Sequence, residues 1–487
     1  MKLRYILLAL IFSPVVLYSQ KNKDTLSIKK AAEANDASAQ CDLGIMYQKG
    51  DQFKKDIQKA CYWFEKASAN MYAPAQYELG LIFYEGKDTL KNFNKAFNLF
   101  KISAEDGYSP AQFQIGFIYH EGIDTIRDYK EAMNWFTKAA KSEMEAPAHY
   151  YLGVMYYYGE GVPQNLTIAF YWVQKSAEND FAPAQYFLGL MYNNGDGTSK
   201  DLAEAFNWYQ KAAENNNINA QYNLAHLYHY GLGTLVDIDK AIYWYQKAAE
   251  NNDSLSQYCL GQLYYQGILV PKNLAKAFYW YKKAAENNDN YAQFNFGIMY
   301  LNGEGTFKNH EKALYWFQKA GEQNNVNAQY NLALMYYKGD GTIKDFSKAI
   351  YWYQKAAENN SSEAQYNLAI MYQDGVGTEK NLGRAFYWCE KASNNNYPKA
   401  QVNLGLNYAK GIGTIIDYKK AFYWFQKAAE QNIPEAQYSL GMMYFNGLSV
   451  QKDKYQAAYW IDKALNAGSK EAKFFWDKEE LWKYKKN

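Results

Sequence analysis

The sequence predicts an all-α protein, a right-handed α-solenoid of about twelve antiparallel helix-pair repeats. Three observations lead there. One stretch, best preserved as AQYNLALMYYKGDGTIKDFSKAIYWYQKAAENNSSE from Ala328 to Glu363, recurs at a step of 36 residues, with a single step of 37. Apolar residues inside each copy fall three and four apart, the period of a helix face. A glycine breaks every copy at one place, where the first helix must end.

The copies open at Ala39, Ala75, Ala111, Ala148, Ala184, Ala220, Ser256, Ala292, Ala328, Ala364, Ala400 and Ala436. In the reference copy Leu332, Met335 and Tyr336 mark the apolar stripe of a helix from about Asn327 to Lys338, stopped by Gly339. All twelve copies hold Gly there, from Gly50 to Gly447, as a left-handed C-terminal residue requires. Six residues on, every copy has Asp or Asn, from Asp56 to Asp453, placed to cap the second helix at about 1 kcal/mol each. The second helix carries Ala349 and Trp352, the Ala in all copies and the Trp in eleven, with Leu99 the exception. Small residues from Gly44 to Gly441 in the first helix, Ala at 225, 333 and 369, supply the matching close face. The one extra residue falls in Lys141–Pro147, between helices, where it lengthens a loop without shifting helical phase.

At the ends the pattern changes. Met1–Ser19 has a basic start, an apolar run from Tyr5 to Leu17 and a small residue before Gln20, the layout of a cleaved secretory leader that is too short to span a bilayer. Residues 20–38 read as a lead-in and N-terminal half-repeat, 39–471 as twelve repeats, and 472–487 as a C-terminal capping helix. The expected location is exported, periplasmic or extracellular and bacterial, with no membrane span after the leader is removed.

Composition narrows the function class. With 48% apolar residues, 18% aromatics and a net charge of +2, the chain has material for a large core and no basic field for nucleic acid. The aromatics recur at helical spacing, as packing residues do. Cys41, Cys61, Cys259 and Cys389 have no metal-ligand spacing; Cys41 and Cys61 share one predicted hairpin, where either a bridge or buried thiols would fit. His226 and His229 lie three apart without the acidic partners of a metal site and read as surface residues. GDGT has neither the preceding strand nor the following Lys of a phosphate loop. The breaks in the pattern, Leu99, Asn407 and the insertion, carry no chemistry, so no catalytic set, metal or cofactor is expected.

The pattern AQYxLGxMYxxGxGTxxDxxKAxxWYQKAAExN resembles the Sel-one-like repeat (SLR), a relative of the tetratricopeptide repeat with a longer glycine-containing turn. The resemblance implies a scaffold or adaptor whose first helices line the concave side. An exported, cysteine-rich branch of that family is associated with penicillin binding, but its pair of cysteines per repeat is missing here.

Where every copy agrees, folding explains the residue; binding must use the places that vary. One lies just after AQY, held by Asn223, Asn295, Asn331, Asn367 and Asn403 in the second half and by Asp42, Glu78, Gln114, Tyr151, Phe187 and Cys259 elsewhere. Seven residues further stand Tyr230, Asn302, Lys338, Asp374 and Lys410. Side-chain amides on a concave face can donate to and accept from an extended peptide; a plain solvated polar face fits the same residues. Asn223, Asn295, Asn331, Asn367, Asn403, Tyr230, Asn302 and Lys338 are therefore the expected protein- or peptide-binding set. The expected function is an exported, non-enzymatic scaffold or adaptor of undetermined oligomeric state. The alternatives are a self-associating envelope protein or a penicillin-binding or hydrolytic relative of the cysteine-rich branch.

Overall fold

The computed structural model describes residues 25–86, 91–141 and 145–485. Among them are 26 α-helices and no strand. The leader expected at Met1–Ser19 lies outside the described residues, and so do residues 142–144 of the inserted stretch.

The reference repeat shows how the helices form. Val326–Lys338 starts behind Asn325, whose side chain accepts from the Ala328 amide, and ends at Gly339 with φ 81°. The Gly339 and Asp340 amides both donate to the Met335 carbonyl, at 2.8 and 3.0 Å, so a left-handed glycine closes the last turn. Asp345 then does two jobs. Its amide donates to the Tyr336 carbonyl at 2.9 Å, which fixes the turn, and its carboxylate accepts from Lys348 N to start Phe346–Glu358. The equivalent glycine has positive φ in all twelve repeats, and the capping bond recurs at each Asp or Asn from Asp56 to Asp453.

The return turn to the next repeat uses a second left-handed residue. Asn360 has φ 65°, and the same place holds Asn from 216 to 432, Asp180, Gly107 and Met71. Asn tolerates this conformation better than other side chains, which explains the NN pair that ends five of the copies.

Two compact units result, Met1–Lys247 and Ala248–Asn487. In the first, Thr25–Glu33 packs on Ala37–Lys49, and packed helices follow in chain order up to Ile218–Tyr230. In the second, pairs follow from Ser254–Gln266, and Lys470–Lys478 with a 3-10 turn at Leu481–Tyr484 closes the chain. Within each unit successive helices pack against one another, and Ser254–Gln266 also touches Asn290–Asn302 two helices on. At the insertion, the helix before it ends at Ala139, and Glu145–Tyr158 keeps register, with Leu152 and Met155 buried like Leu332 and Met335.

The core differs from the expectation in one respect. The repeated Trp is half-buried in ten of eleven copies, with Trp135 the buried one. The residue after it is the buried one in every repeat, as at Phe64, Phe136, Tyr209, Tyr281, Phe317 and Tyr353. That side chain faces the small residue of the first helix, while the Trp sits one helical step around and packs against the preceding pair, as Trp352 does beside Gly321 and Trp135 among Phe100 and Ile115. No disulfide joins Cys41 to Cys61; Cys41 and Cys389 are buried.

Candidate functional site on the first-helix face

The expected binding set lies on the first helices. Its geometry depends on what each side chain has left to offer after the core takes its share. Asn223, Asn295, Asn331, Asn367 and Asn403 are all half-buried. Asn367 Nδ2 donates to the Tyr353 hydroxyl at 3.3 Å and to that of Tyr330 at 3.5 Å, and Asn403 Nδ2 donates to Tyr366 at 3.4 Å. Asn223 bonds Tyr209, and Asn295 bonds Tyr258 and Tyr281. Burial pushes the Tyr209, Tyr281 and Tyr353 hydroxyls well above the usual tyrosine range. They stay neutral and need a polar neighbour, which the Asn fourteen residues on provides.

Asn331 stands apart. Its core neighbour at that spacing is Phe317, which has no hydroxyl, and its amide turns back to the Asn327 carbonyl at 2.8 Å in its own helix. Two turns beyond the Asn row the expected residues reach water. Tyr230 is 57% exposed, and Asn302 and Lys338 are exposed at the ends of their helices.

His226 and His229 are half-buried against Tyr230, whose ring lies 4.6 and 4.3 Å from theirs, in place of the surface position expected. Burial lowers the pKa of both. Where the second repeat has Glu78 at the Asn place, burial pushes its carboxyl up to about 7. The face therefore changes in chemistry from repeat to repeat while the backbone beneath it repeats. Among the described residues no group of three or more His, Cys, Asp or Glu side chains is arranged to hold a metal.

Two networks beside this face were not read from the sequence. The first is the Gln of AQY, present in eleven copies. Gln329 is 1% exposed; its Nε2 donates to the Gly321 carbonyl of the preceding repeat at 3.0 Å, and its Oε1 accepts from Asn359 at 3.2 Å. The same pair of bonds recurs at Gln257, Gln293, Gln365 and Gln401. Each buried amide thus clips one repeat to the next. In the fourth repeat His149 replaces it, 3% exposed and packed on Trp172 at 4.8 Å, beside the insertion.

The second network joins the end of one first helix to the turn of the next repeat. Tyr157 donates to Asp196 at 2.8 Å and Tyr265 to Glu304 at 2.8 Å. His120, 7% exposed, lies 2.7 Å from Glu121 and 2.8 Å from Glu160, which also accepts from Tyr129 at 3.3 Å. Burial by itself would lower the His120 pKa, but the bonds and charges of Glu121 and Glu160 outweigh it and hold the imidazole above its ordinary 6.5. Burial would raise Glu160, yet His120 and Tyr129 bring it below its ordinary 4.5. A recurring acid just after the capping glycine, 39 or 40 residues past a Tyr or His, was the available signal.

This pair has a pH signature. A raised His contributes stability that is complete below 6.5 and lost as pH rises through its folded value; a lowered Glu contributes stability lost as pH falls through its own. The helices around His120 should therefore be most stable in mildly acidic solution. Amide exchange within Ser109–Glu121 should be faster at about pH 8.5 than at about pH 5.5 after correction for intrinsic rates, and His120→Phe should flatten that difference. An equal difference in the variant would assign it elsewhere.

The Sel1 repeat model matches twelve segments in succession, from 37–70 to 434–469. A solved structure of a protective antigen present in uropathogenic Escherichia coli strains, displaying an SLR fold, is 30% identical; the match covers 94% of this chain and 97% of that one, with a TM-score of 0.71. A Sel1 repeat protein from Oxalobacter formigenes is 28% identical over 67% of this chain and 93% of its own, with a TM-score of 0.54. No curated protein matches the sequence. Among the described residues no helix is long and apolar enough to cross a membrane. Twelve consecutive family matches on an α-solenoid of helix pairs mean that this chain belongs to the Sel1 repeat family, a scaffold suited to protein interaction.

Proposed function

We propose that this protein is an exported, non-enzymatic scaffold that holds a protein or peptide partner on the concave side of its first helices. The contact set would be Asn223, Asn295, Asn331, Asn367 and Asn403, extended outward by Tyr230, Asn302 and Lys338. One observation carries the reading. The residues common to the repeats are spent on caps, core and inter-repeat bonds, while the polar residues that differ between repeats gather on the first-helix face. A folded array needs no such variation, and a binding face does. The leader-like Met1–Ser19 and the similarity to a protective antigen of uropathogenic Escherichia coli strains support export.

In this reading the amides divide the work. Asn367 and Asn403 give their Nδ2 to tyrosines and keep carbonyl oxygens to accept from a peptide backbone, while Lys338 selects for acidic partners. The test is affinity capture from the native cell with the full chain and with a variant carrying Asn331→Ala and Lys338→Glu. Neither residue bonds a neighbouring helix, so folding should change by no more than about 0.5 kcal/mol. Recovery of the partner should fall about tenfold, equivalent to roughly 1.4 kcal/mol. A partner captured equally well by both would remove the face from the account.

A further inference from the structure

The turns between the two helices of each repeat leave from the same end of the helix pair, so within the unit Ala248–Asn487 they make up one edge. That edge carries the four most exposed large apolar side chains of the unit. Phe307 is 92% exposed, Ile343 85%, Ile415 82% and Ile268 79%. Phe307, Ile343 and Ile415 hold one register place in the turn, the residue after the Thr of GxGT. Glycine and Thr bring the chain out and Asp or Asn takes it back into a helix, so this residue is the tip. Nothing in the fold uses it. A polar residue would make the same turn, as Glu379 does in the repeat between Ile343 and Ile415.

A lysine recurs beside the tip place. The next residue is Lys308 after Phe307, Lys344 after Ile343 and Lys380 after Glu379, all exposed, with Lys272 at the same place in the turn of Ile268. Of the acids nearby, Asp345 and Asp417 cap their helices and Glu304 accepts from Tyr265, while Asp340 and Glu379 stand in the same turns. A chain whose net charge is only +2 thus sets a lysine just past the tip place in five of the six turns of this unit, from Lys272 to Lys452, and Ile416 in the sixth.

We propose that this turn edge rests on an anionic phospholipid surface, with Phe307, Ile343 and Ile415 entering the boundary between headgroups and acyl chains and the lysines beside them meeting the phosphates. Separate apolar points with lysines among them suit a bilayer better than a protein groove: shallow insertion and electrostatic attraction are each weak alone and add when combined. Nucleic acid would meet the lysines but leave the isoleucines in water. This surface is independent of the first-helix face and would orient that face relative to a membrane.

The test uses the full chain with vesicles of phosphatidylcholine alone or with phosphatidylglycerol as one lipid in three. Because Tyr5–Leu17 is itself apolar, sedimentation of the whole chain is not diagnostic, so the readout is local hydrogen exchange at short labelling times. Phosphatidylglycerol vesicles should slow exchange in residues 305–308, 341–344 and 413–416 about fivefold or more and leave 359–361 and 395–397, at the opposite end of the pairs, unchanged. Phe307→Ser, Ile343→Ser and Ile415→Ser together should abolish that protection with no change in thermal midpoint, since the side chains are exposed. Lys308→Gln, Lys344→Gln and Lys380→Gln should remove the preference for the anionic lipid. Turns that exchange equally with and without phosphatidylglycerol would overturn the proposal. Protection that needs no vesicles and grows with protein concentration would do so as well, by assigning the edge to a second copy of the chain.

Discussion

Gly341→Ala should destabilise its part of the array by roughly 2–4 kcal/mol, although alanine is the smallest side chain that can be added. Gly341 is the second glycine of GDGT and has φ 69°. A Cβ there would lie 2.5 Å from the carbonyl carbon and 2.6 Å from the oxygen of His310, the first residue of His310–Glu322 in the preceding repeat. Both obstacles are backbone, so no rotamer relieves them. The left-handed conformation adds its own cost. Gly339→Ala offers the contrast: its φ is also positive, but the nearest atom is Lys344 Cβ or N at more than 3 Å, and the cost should be near the conformational term alone, about 1–2 kcal/mol. Because repeat arrays unfold by neighbouring units, the difference is best read as faster local amide exchange in His310–Glu322 and Val326–Lys338. Equal effects of the two substitutions would mean that the close approach of repeats at Gly341 contributes nothing.

Gln329→Leu keeps the volume roughly constant and removes both amide functions. The Gly321 carbonyl loses one of its two donors, keeping the Asn324 amide, and the Asn359 amide loses its acceptor, so the expected cost is about 1–3 kcal/mol. Gln329→Glu should cost more at neutral pH. A carboxylate accepts from Asn359 but cannot donate to Gly321, and it would be charged at a site 1% exposed. Burial raises the pKa of such a group above its unfolded value, so this variant should gain stability relative to wild type as pH falls and lose it as pH rises. Chemical denaturation followed by circular dichroism across pH would show both trends; a Leu variant as stable as wild type would make the buried amides incidental.

These two residues also show where sequence reading stopped. The capping glycine and the Asp or Asn six places on follow rules of a single helix, so they could be assigned from spacing alone. Gln329 and Gly341 answer to the adjacent repeat: one reaches a carbonyl eight residues back, the other lies against a backbone thirty-one residues back. Repetition says that such residues are needed and not what they touch. The core was misjudged for a related reason. Trp352 is the larger residue, but Tyr353 points at the small side of the first helix, and a one-residue step around a helix decides which is enclosed.

The candidate face was legible as a place and less so in its chemistry. Variation between copies located the Asn row. That most of those amides also serve buried tyrosines depends on contacts between residues fourteen apart in different helices, visible only in hindsight as the pairing of Tyr209, Tyr281 and Tyr353 with Asn223, Asn295 and Asn367. Asn331, opposite Phe317, is the member whose side chain owes nothing to a neighbour's hydroxyl.

That makes position 331 the place to test whether the first-helix face holds a partner. A photoreactive amino acid would be installed there, and separately at Tyr351 on the second helix, which is 52% exposed and faces away from the pair's core. On irradiation in the native cell, the account predicts a discrete cross-linked protein from position 331 and none from position 351. The same adduct from both positions, or from 351 alone, would contradict it.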